Sequence, residues 1–293
     1  MDDRLAAHLE LAGLSDEEFV RRAYRLVLRR DPEPAALGRD VSRATLLAEL
    51  VAGEEFARLR ALDEAIRAAL AGGGPVRFLE APAEAGERAV EIPWALSRLG
   101  GARRVLDVGT ANAEPAYLAA LRSAAPETLV GADLAQADVP GLETVVADVR
   151  RLPFDDGAFD LVLCVSTLEH VGRDNRVYGV AAAPGGGIDE ALAELRRVLD
   201  RRGRLVVTVP CGEPEEHDWF VQDEPEGWNS RFLATGFAVL AQEVYERRPE
   251  GWRAADPFDP AGVRYGEGGA GASAVLCTEL RPRPRWRRLL KPR

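Results

Sequence analysis

Asp107 stands at the end of an apolar run, two residues before Gly109. Residues 105–109 (VLDVG) predict a buried strand that ends in a tight turn, and residues 115–121 (PAYLAAL) predict a helix with Pro115 in its first turn. A strand, a glycine turn and a helix form the nucleotide-binding opening of a doubly wound α/β sheet. A carboxylate at such a strand end repels a pyrophosphate and attracts an ammonium group. The pattern therefore favours a ligand that has an amino-acid end and an adenosine end.

The small residues of this turn differ from those of a dinucleotide-binding loop. Such a loop needs the pattern G-x-G-x-x-G, so that a pyrophosphate can lie against the helix N-terminus. Here Gly109 is followed by Ala111 and Ala113, and alanine adopts a positive φ only at a cost. Two interpretations stay open at this point. Either the loop takes another path with Asn112 as its left-handed residue, or cofactor binding is weakened or lost.

Two more acids follow the next predicted strands. Asp133 comes directly after residues 128–132, and Asp148 comes directly after residues 143–147. A single acid in such a place is often a helix cap or a solvated strand end. Three acids at the ends of three strands favour a ligand site, because open α/β sheets bind their ligands at the carboxyl ends of the strands.

The segment that follows carries a series of recognisable motifs. LPFDDGAFD at 152–160 leads into an apolar strand at 161–165 and then into STLEH at 166–170. A predicted helix, a turn and a strand complete the series by residue 210. In this order and spacing, residues 101–210 resemble the class I S-adenosylmethionine-dependent methyltransferases.

The resemblance implies a fold, a cofactor and a set of binding residues. The fold is α/β, with a Rossmann-like, seven-stranded doubly wound sheet, and the cofactor is S-adenosylmethionine. Family members use an acid at the position of Asp133 for the ribose hydroxyls and one at the position of Asp148 near the adenine amine. Residues 87–96 look like the helix that covers the cofactor. The predicted cofactor-binding residues are Glu91, Trp94, Asp107, Gly109, Thr110, Ala111, Asp133, Leu134, Asp148, Val149, Ser166 and Leu168.

Substrate-side residues are expected after the fourth and fifth strands of the family's sheet. The long aperiodic segment at 172–187 offers Asn175, Arg176 and Tyr178 to a polar substrate, and the segment after residue 210 offers His217. His170 follows the fourth strand, which the resemblance puts beside the cofactor. A free imidazole titrates near neutral pH and suits proton removal from a hydroxyl, so His170 is the predicted catalytic base. A purely structural hydrogen bond is the alternative role for this residue.

The N-terminal residues predict a separate small all-α domain. Ser15 and Glu18 form a capping box before an amphipathic helix, and further helices are predicted at about 42–51 and 54–70. Residues 15–62 resemble a small helical domain of unknown function that often accompanies bacterial glycosyltransferases; a generic dimerisation arm is the alternative. The predicted organisation is an N-terminal helical domain at 1–71, a linker at 72–85, a methyltransferase domain at 86–280 and a basic tail at 281–293.

Charge and composition restrict the partners. The chain of 293 residues has a net charge of −10, and the seven basic residues of 281–293 leave −17 on the rest, which disfavours a nucleic-acid substrate. The basic tail could contact an anionic membrane surface, although a disordered solubilising tail is the favoured interpretation. No apolar run is long enough to span a membrane, and a cytoplasmic location is expected. Neither a disulfide framework nor a metal site is expected from the three cysteines and three scattered histidines.

These observations predict an S-adenosylmethionine-dependent methyltransferase that acts on a small or glycan-like polar acceptor, with oxygen as the expected site of methylation. The alternative is a non-catalytic binding or scaffold module that keeps the fold and has lost the cofactor. The sequence leaves the acceptor, the position of methylation and the oligomeric state open.

Overall fold

A computed structural model describes residues 14–82, 85–180, 187–267 and 271–284. The chain divides into two compact units between Ala61 and Leu62. The predicted domain boundary lies later, at residues 71–72. Most of the basic tail, from residue 285 onward, lies outside the described residues, and so does the expected membrane contact of that tail.

The described residues of the first unit are helical. Its helices are α1 (Asp16–Val27), α2 (Pro34–Leu37), α3 (Arg43–Ala52) and the beginning of α4 (Glu54–Ala71). The predicted capping box is present, because the Ser15 hydroxyl accepts from the Glu18 amide while the Glu18 carboxylate accepts from the Ser15 amide. The apolar face of α1 buries Phe19 and Ala23 in a core of this unit.

The second unit contains a nine-stranded sheet and its covering helices. The helices are α5 (Arg88–Leu96), α6 (Pro115–Ser123), α7 (Ile188–Val198) and α8 (Pro225–Ala234). The strands are, in chain order, β1 (Glu80–Ala81), β2 (Arg104–Val108), β3 (Thr128–Asp133), β4 (Glu143–Val146), β5 (Phe159–Val165), β6 (Leu199–Pro210), β7 (Glu215–Glu216), β8 (Val221–Gln222), β9 (Phe237–Arg248), β10 (Gly251–Ala254) and β11 (Ala274–Pro282).

The sheet order is β1-β10-β9-β11-β6-β5-β2-β3-β4, and β7 and β8 form a separate hairpin. The strands from β2 to β6 pair in parallel, whereas β11 pairs antiparallel to both β6 and β9. Seven strands were expected, and the sheet has nine because β10 and β1 extend the edge beside β9. β10 occupies the beginning of the long segment between β9 and β11, and β6 is continuous through residues 200–203.

Residues 161–165 of β5 are all apolar, because both faces of the sheet are covered at this strand. Val162 and Cys164 belong to one core cluster together with α7 and α8, whereas Leu161 and Leu163 belong to a second cluster together with α5 and α6. Successive side chains of a strand point to opposite faces, so a sheet covered on both sides needs apolar residues at every position. The helices thus cover both faces of a doubly wound sheet.

The second core cluster also receives side chains from the end of α4. Leu62 and Ile66 are buried there with Trp252 and Ala95. These two residues therefore belong to the second unit, although the sequence assigned them to the N-terminal domain. In the described part of the chain, no helix is long and apolar enough to cross a membrane.

Candidate functional site

A cleft opens at the carboxyl ends of β2, β3, β4 and β5. The chain leaves β2 toward β3 on one side, and β5 pairs with β2 on the other side, which makes this the topological switch point of the sheet. Ligands of open α/β sheets bind at such a point, because the connections leave in opposite directions and a crevice remains between them. Residues from all four strand ends line the cleft, together with Ile92 of α5 and Tyr117 of α6.

The loop after β2 reaches its shape through one glycine. Gly109 has a φ of 90°, and residues Thr110–Asn112 then form a 3₁₀ turn. In the described chain, Asn112 does not have a positive φ. The interpretation in which Asn112 is the left-handed residue of the loop is therefore wrong. Ala113 is extended, with a φ of −71°. Ala111 and Ala113 therefore fit this loop without a positive φ.

Asp107 is buried at the floor of the cleft. Its carboxylate accepts from the Thr110 hydroxyl at 2.8 Å and from the Tyr117 hydroxyl at 2.6 Å. Burial raises the pKa of Asp107 to about 6, while these two hydrogen bonds lower it and the charge of Asp133 raises it. Asp107 is thus a carboxylate held in a fixed orientation beside the cleft.

Asp133 joins the loop to the end of β3. One carboxylate oxygen accepts from the backbone amide of Ala111 and the other from that of Ala135, each at 2.9 Å. An ionised carboxylate can accept about four hydrogen bonds, so both oxygens of Asp133 keep capacity for a ligand. The predicted residue Ala111 therefore contributes its amide to the position of Asp133.

Asp148 has a different environment from Asp133. Arg150 binds both of its carboxylate oxygens, with the closest contact at 2.6 Å. This guanidinium lowers the pKa of Asp148, and burial works in the opposite direction. The two side chains line the cleft as a fixed ion pair.

The structure brings most of the predicted cofactor residues to the cleft and leaves some outside it. Among the described residues, those that line the cleft are Asp107, Gly109, Asp133, Leu134, Asp148, Val149 and Ser166. Thr110 lies beneath the cleft and fixes Asp107.

Two predicted cofactor residues belong to the core instead. Trp94 is fully buried, with the Arg98 guanidinium 3.3 Å from its ring centre. It is not among the described residues that line the cleft. Leu168 is fully buried in the core beneath β5. Large apolar side chains next to a site often pack beneath it, which the local sequence does not distinguish from lining it.

A second cavity adjoins the cleft and shares Arg88, Ser166, His170 and Tyr178 with it. Its polar wall contains Glu91 and Glu169, which are 1% and 2% exposed. Much of its remaining lining is aromatic, from Trp219, Phe220 and Tyr265. The sequence assigned Glu91 to the cofactor, but the structure puts it in this second cavity.

The environment of Glu91 shifts the pKa of its carboxyl group. Arg88 donates to its Oε2 at 3.0 Å. Burial raises the pKa of Glu91 to about 7, the charge of Arg88 lowers it, and the charges of Glu87 and Glu169 raise it further. The hydroxyl of Thr208 has a smaller lowering effect. Glu91 can therefore exchange a proton near neutral pH.

His170 lies between the two cavities. Its Nδ1 is 2.7 Å from the backbone oxygen of Trp219, and since a carbonyl only accepts, Nδ1 carries the proton in the neutral ring. Nε2 is then the acceptor, 3.3 Å from the Tyr178 hydroxyl and 3.7 Å from Oε1 of Glu169. The ring stacks on Trp219. His170 is the last residue of the 3₁₀ turn Leu168–His170.

Ser166 has a strained backbone at the end of β5. Its φ is 45°, which is rare for a residue other than glycine, asparagine or aspartate. Its hydroxyl donates to Oε1 of Glu169 at 2.8 Å, and its amide is held by Thr208. Strain of this kind persists where surrounding contacts impose it, and it concentrates at functional sites.

The predicted substrate residues separate into two pairs. Asn175 and Tyr178 line the cleft. Arg176 is exposed and paired with Asp174, while His217 bonds Glu215 and stacks on Phe220. In the described chain, Arg176 and His217 line neither cavity, because each is held by a neighbour on its own surface segment.

Several lining residues were not predicted. Tyr117 lies one turn into α6 and faces Asp107, a helical position that its sequence could have indicated. Glu169 is part of the STLEH motif, but only the packing of β5 and β6 shows that it is buried. Trp219 and Tyr265 come from distant loops, so no local pattern could have brought them together.

Comparison with known proteins assigns the central part of this unit. Residues 106–207 match the family described as a methyltransferase domain. The match begins in β2 and ends in β6, so it contains the cleft-forming strand ends. It supports a methyltransferase fold for this part of the chain, while the predicted domain bounds of 86–280 stay a prediction.

Two curated proteins and one solved structure illustrate the similarity. The chain is 36% identical over 116 residues to the demethylmenaquinone methyltransferase of Thermus thermophilus, which covers 36% of this chain and 46% of that protein. It is 29% identical over 169 residues to the ubiquinone/menaquinone biosynthesis C-methyltransferase of Citrifermentans bemidjiense, covering 50% of this chain and 65% of that one. The chain therefore spans less than two thirds of the length of either relative.

The solved structure is the 1,6-didemethyltoxoflavin-N1-methyltransferase of Burkholderia thailandensis with bound 1,6-didemethyltoxoflavin and S-adenosylhomocysteine. It is 15% identical, with a TM-score of 0.44, and the alignment covers 82% of this chain and 88% of that chain. The resemblance of residues 15–62 to the glycosyltransferase-associated domain stays a prediction.

Proposed function

We propose that this chain is an S-adenosylmethionine-dependent methyltransferase for a small polar acceptor. The observation that carries the proposal is the position of Asp133 at the switch-point cleft of a matched methyltransferase domain. Its carboxylate is fixed by two backbone amides and retains acceptor capacity. Such a group suits the two hydroxyls of a ribose.

The remaining lining residues fit the other parts of this cofactor. Leu134 and Val149 offer apolar contact to an adenine ring. Asp107 and Glu114 also line the cleft, and their negative charge would attract the positively charged ammonium and sulfonium groups of the cofactor. When bound, the cofactor supplies an activated methyl group on its sulfonium.

The chain's own contribution to the reaction is alignment and proton handling. Methyl transfer is an in-line displacement, so its rate depends on how well the acceptor atom faces the methyl group. Ser166, His170 and Tyr178 border both cavities and lie where an acceptor in the second cavity would meet the donor. The unprotonated Nε2 of His170 can take the proton of a hydroxyl acceptor.

The acceptor predicted from the sequence is a small or glycan-like molecule methylated at oxygen. A second candidate is methylation of a quinone at carbon, as the names of the two curated relatives suggest. The aromatic side chains of Trp219 and Tyr265 in the second cavity favour a planar acceptor. The cytoplasmic location and the membrane contact of the tail stay predictions.

Calorimetry with S-adenosylhomocysteine tests the proposal and separates it from the non-catalytic alternative. We expect the wild-type chain to bind, and Asp133→Ala to weaken binding by roughly 1.5–3 kcal/mol, as for lost hydrogen bonds to a charged group. Asp138→Ala is the matched control, because Asp138 is exposed and lies outside both cavities. If the wild-type chain does not bind S-adenosylhomocysteine at millimolar concentration, the proposal of an enzyme is overturned and the non-catalytic scaffold module is favoured.

A further inference from the structure

The second cavity contains two buried carboxylates that each have an unused oxygen. Among the described residues, Oε1 of Glu91 and Oε2 of Glu169 are buried and have no hydrogen-bond partner. Both side chains line the cavity. A buried carboxylate oxygen without a donor costs free energy, and such groups in native proteins usually have a partner or a function. The cavity therefore contains two hydrogen-bond acceptors that a ligand with N–H or O–H donors could satisfy.

The charges around these oxygens favour a cation. Glu87, Glu91 and Glu169 line the cavity, and Arg88 is the cation among them. Arg88 reaches Oε2 of Glu91, which leaves Oε1 to the cavity. A negatively charged substituent bound beside these carboxylates would be repelled by their excess, whereas an ammonium would balance them.

The rest of the cavity wall suits the same kind of group. Trp219, Phe220 and Tyr265 pack together, with Phe220 and Tyr265 ring centres 4.3 Å apart. His170 and Tyr178 complete the aromatic wall at the border with the cleft. Aromatic faces attract cations, and their effect is larger in a site that excludes water.

We propose that the second cavity binds the protonated amino group of the methyl acceptor through Glu91 and Glu169, with the aromatic wall around it. Three N–H donors of a primary ammonium match the two free carboxylate oxygens and leave one donor for the border with the cleft. This inference rests on the proposed function, since the shared residues Ser166 and His170 are what connect this cavity to the methyl donor. It narrows the acceptor to an amine-bearing molecule with an apolar or planar body.

A pair of probes of equal shape and different charge tests the assignment. Benzylamine and benzyl alcohol are titrated into the full-length protein saturated with S-adenosylhomocysteine at pH 7.5. We expect benzylamine to bind at least tenfold more tightly than benzyl alcohol. Glu91→Gln and Glu169→Gln should each reduce benzylamine affinity at least tenfold and leave benzyl alcohol affinity within twofold. Glu216→Gln is the control, because Glu216 is on the adjoining hairpin and its side chain is 79% exposed.

The results distinguish this inference from the proposed function. If S-adenosylhomocysteine binds but benzyl alcohol binds as tightly as benzylamine, or benzylamine is insensitive to both carboxamide variants, the ammonium site is wrong and the methyltransferase proposal stands. Undetectable benzylamine binding to the saturated protein also counts against the site. Failure of S-adenosylhomocysteine itself to bind overturns the proposed function first.

Discussion

The hydroxyl of Tyr117 donates a 2.6 Å hydrogen bond to Oδ1 of Asp107, and both side chains are buried. This bond ties helix α6 to the end of β2 at the floor of the cleft. It opposes the effect of burial, which raises the pKa of Asp107 to about 6. The cleft therefore depends on a hydroxyl that stabilises a buried negative charge.

Replacement of this tyrosine has an expected dependence on pH. The folded pKa of Asp107 lies above its ordinary 3.8, so the unfolded chain releases the proton first and stability falls as pH rises from about 3.8 to about 6. Tyr117→Phe removes a donor to the ionised form and should lower the free energy of unfolding by about 1.5–3 kcal/mol at pH 8. The loss should be smaller at pH 5, where Asp107 is mostly protonated. Urea unfolding at both pH values measures this, and an equal loss at both would contradict the account.

Glycine is required at position 109 both by the backbone conformation and by the lack of space for a side chain. A Cβ at this position would lie 2.1 Å from Oγ1 of Thr167, and the φ of 90° already disfavours any other residue. We expect Gly109→Ala to cost more than the roughly 1–2 kcal/mol of a left-handed alanine and to abolish S-adenosylhomocysteine binding. Gly101→Ala is the control, since Gly101 also has a positive φ, of 74°, but a Cβ added there would meet open space. Equal destabilisation by the two changes would show that the contact with Thr167 is unimportant.

The buried Glu91 should make the protein less stable at alkaline pH. Its pKa of about 7 lies above the ordinary 4.5, so the unfolded chain releases the proton first and stability falls between about pH 4.5 and 7. Glu91→Gln removes this term and should raise the unfolding free energy at pH 8 by up to about 3 kcal/mol relative to wild type. The difference should shrink toward pH 5. Thermal unfolding across this range checks it, and a variant less stable than wild type at pH 8 would disprove it.

His170 has a geometry that suits a base and also a structural contact. If Nε2 takes the acceptor's proton, His170→Ala should lower turnover by ~10²–10⁴-fold while S-adenosylhomocysteine affinity changes little. A purely structural role would instead reduce stability by about 1–3 kcal/mol and weaken cofactor binding with activity. Single-turnover methylation of an identified acceptor, measured beside calorimetry, separates the two. Turnover within a few fold of wild type excludes the base.

Because the chain divides into two compact units between Ala61 and Leu62, we expect two truncations to give different results. Removal of residues 1–61 should leave the second unit folded, with its cofactor affinity unchanged. Removal of residues 1–74 also deletes Leu62 and Ile66 from the core, and burial of two such side chains contributes about 3–6 kcal/mol. The predicted domain boundary at residues 71–72 implies instead that the longer deletion is tolerated. Urea unfolding of both truncated proteins, compared with the full chain, decides between these expectations.

The local sequence was sufficient for the elements that have a strong short-range signal. The apolar run of β5 and the capping box at Ser15 each reflect a local pattern that packing then confirms. The edge strands β10 and β1 escaped prediction, because a two- or four-residue strand has too few positions to show a period. Trp94 and Leu168 were assigned to the site since their neighbours in sequence line it, but a large apolar side chain beside a cleft packs beneath it when the core offers space.

The sequence by itself determined the order of the strands' acids, and hence that Asp107, Asp133 and Asp148 would meet at one edge of a parallel sheet. That result needs only the rule that parallel strands share their carboxyl edge. The tertiary structure alone decided that Glu91, Glu169 and Trp219 enclose a second cavity. These residues come from a helix, a turn and a distant loop, and their burial, the shifted pKa of Glu91 and the unused carboxylate oxygens arise only when packing removes water from around them.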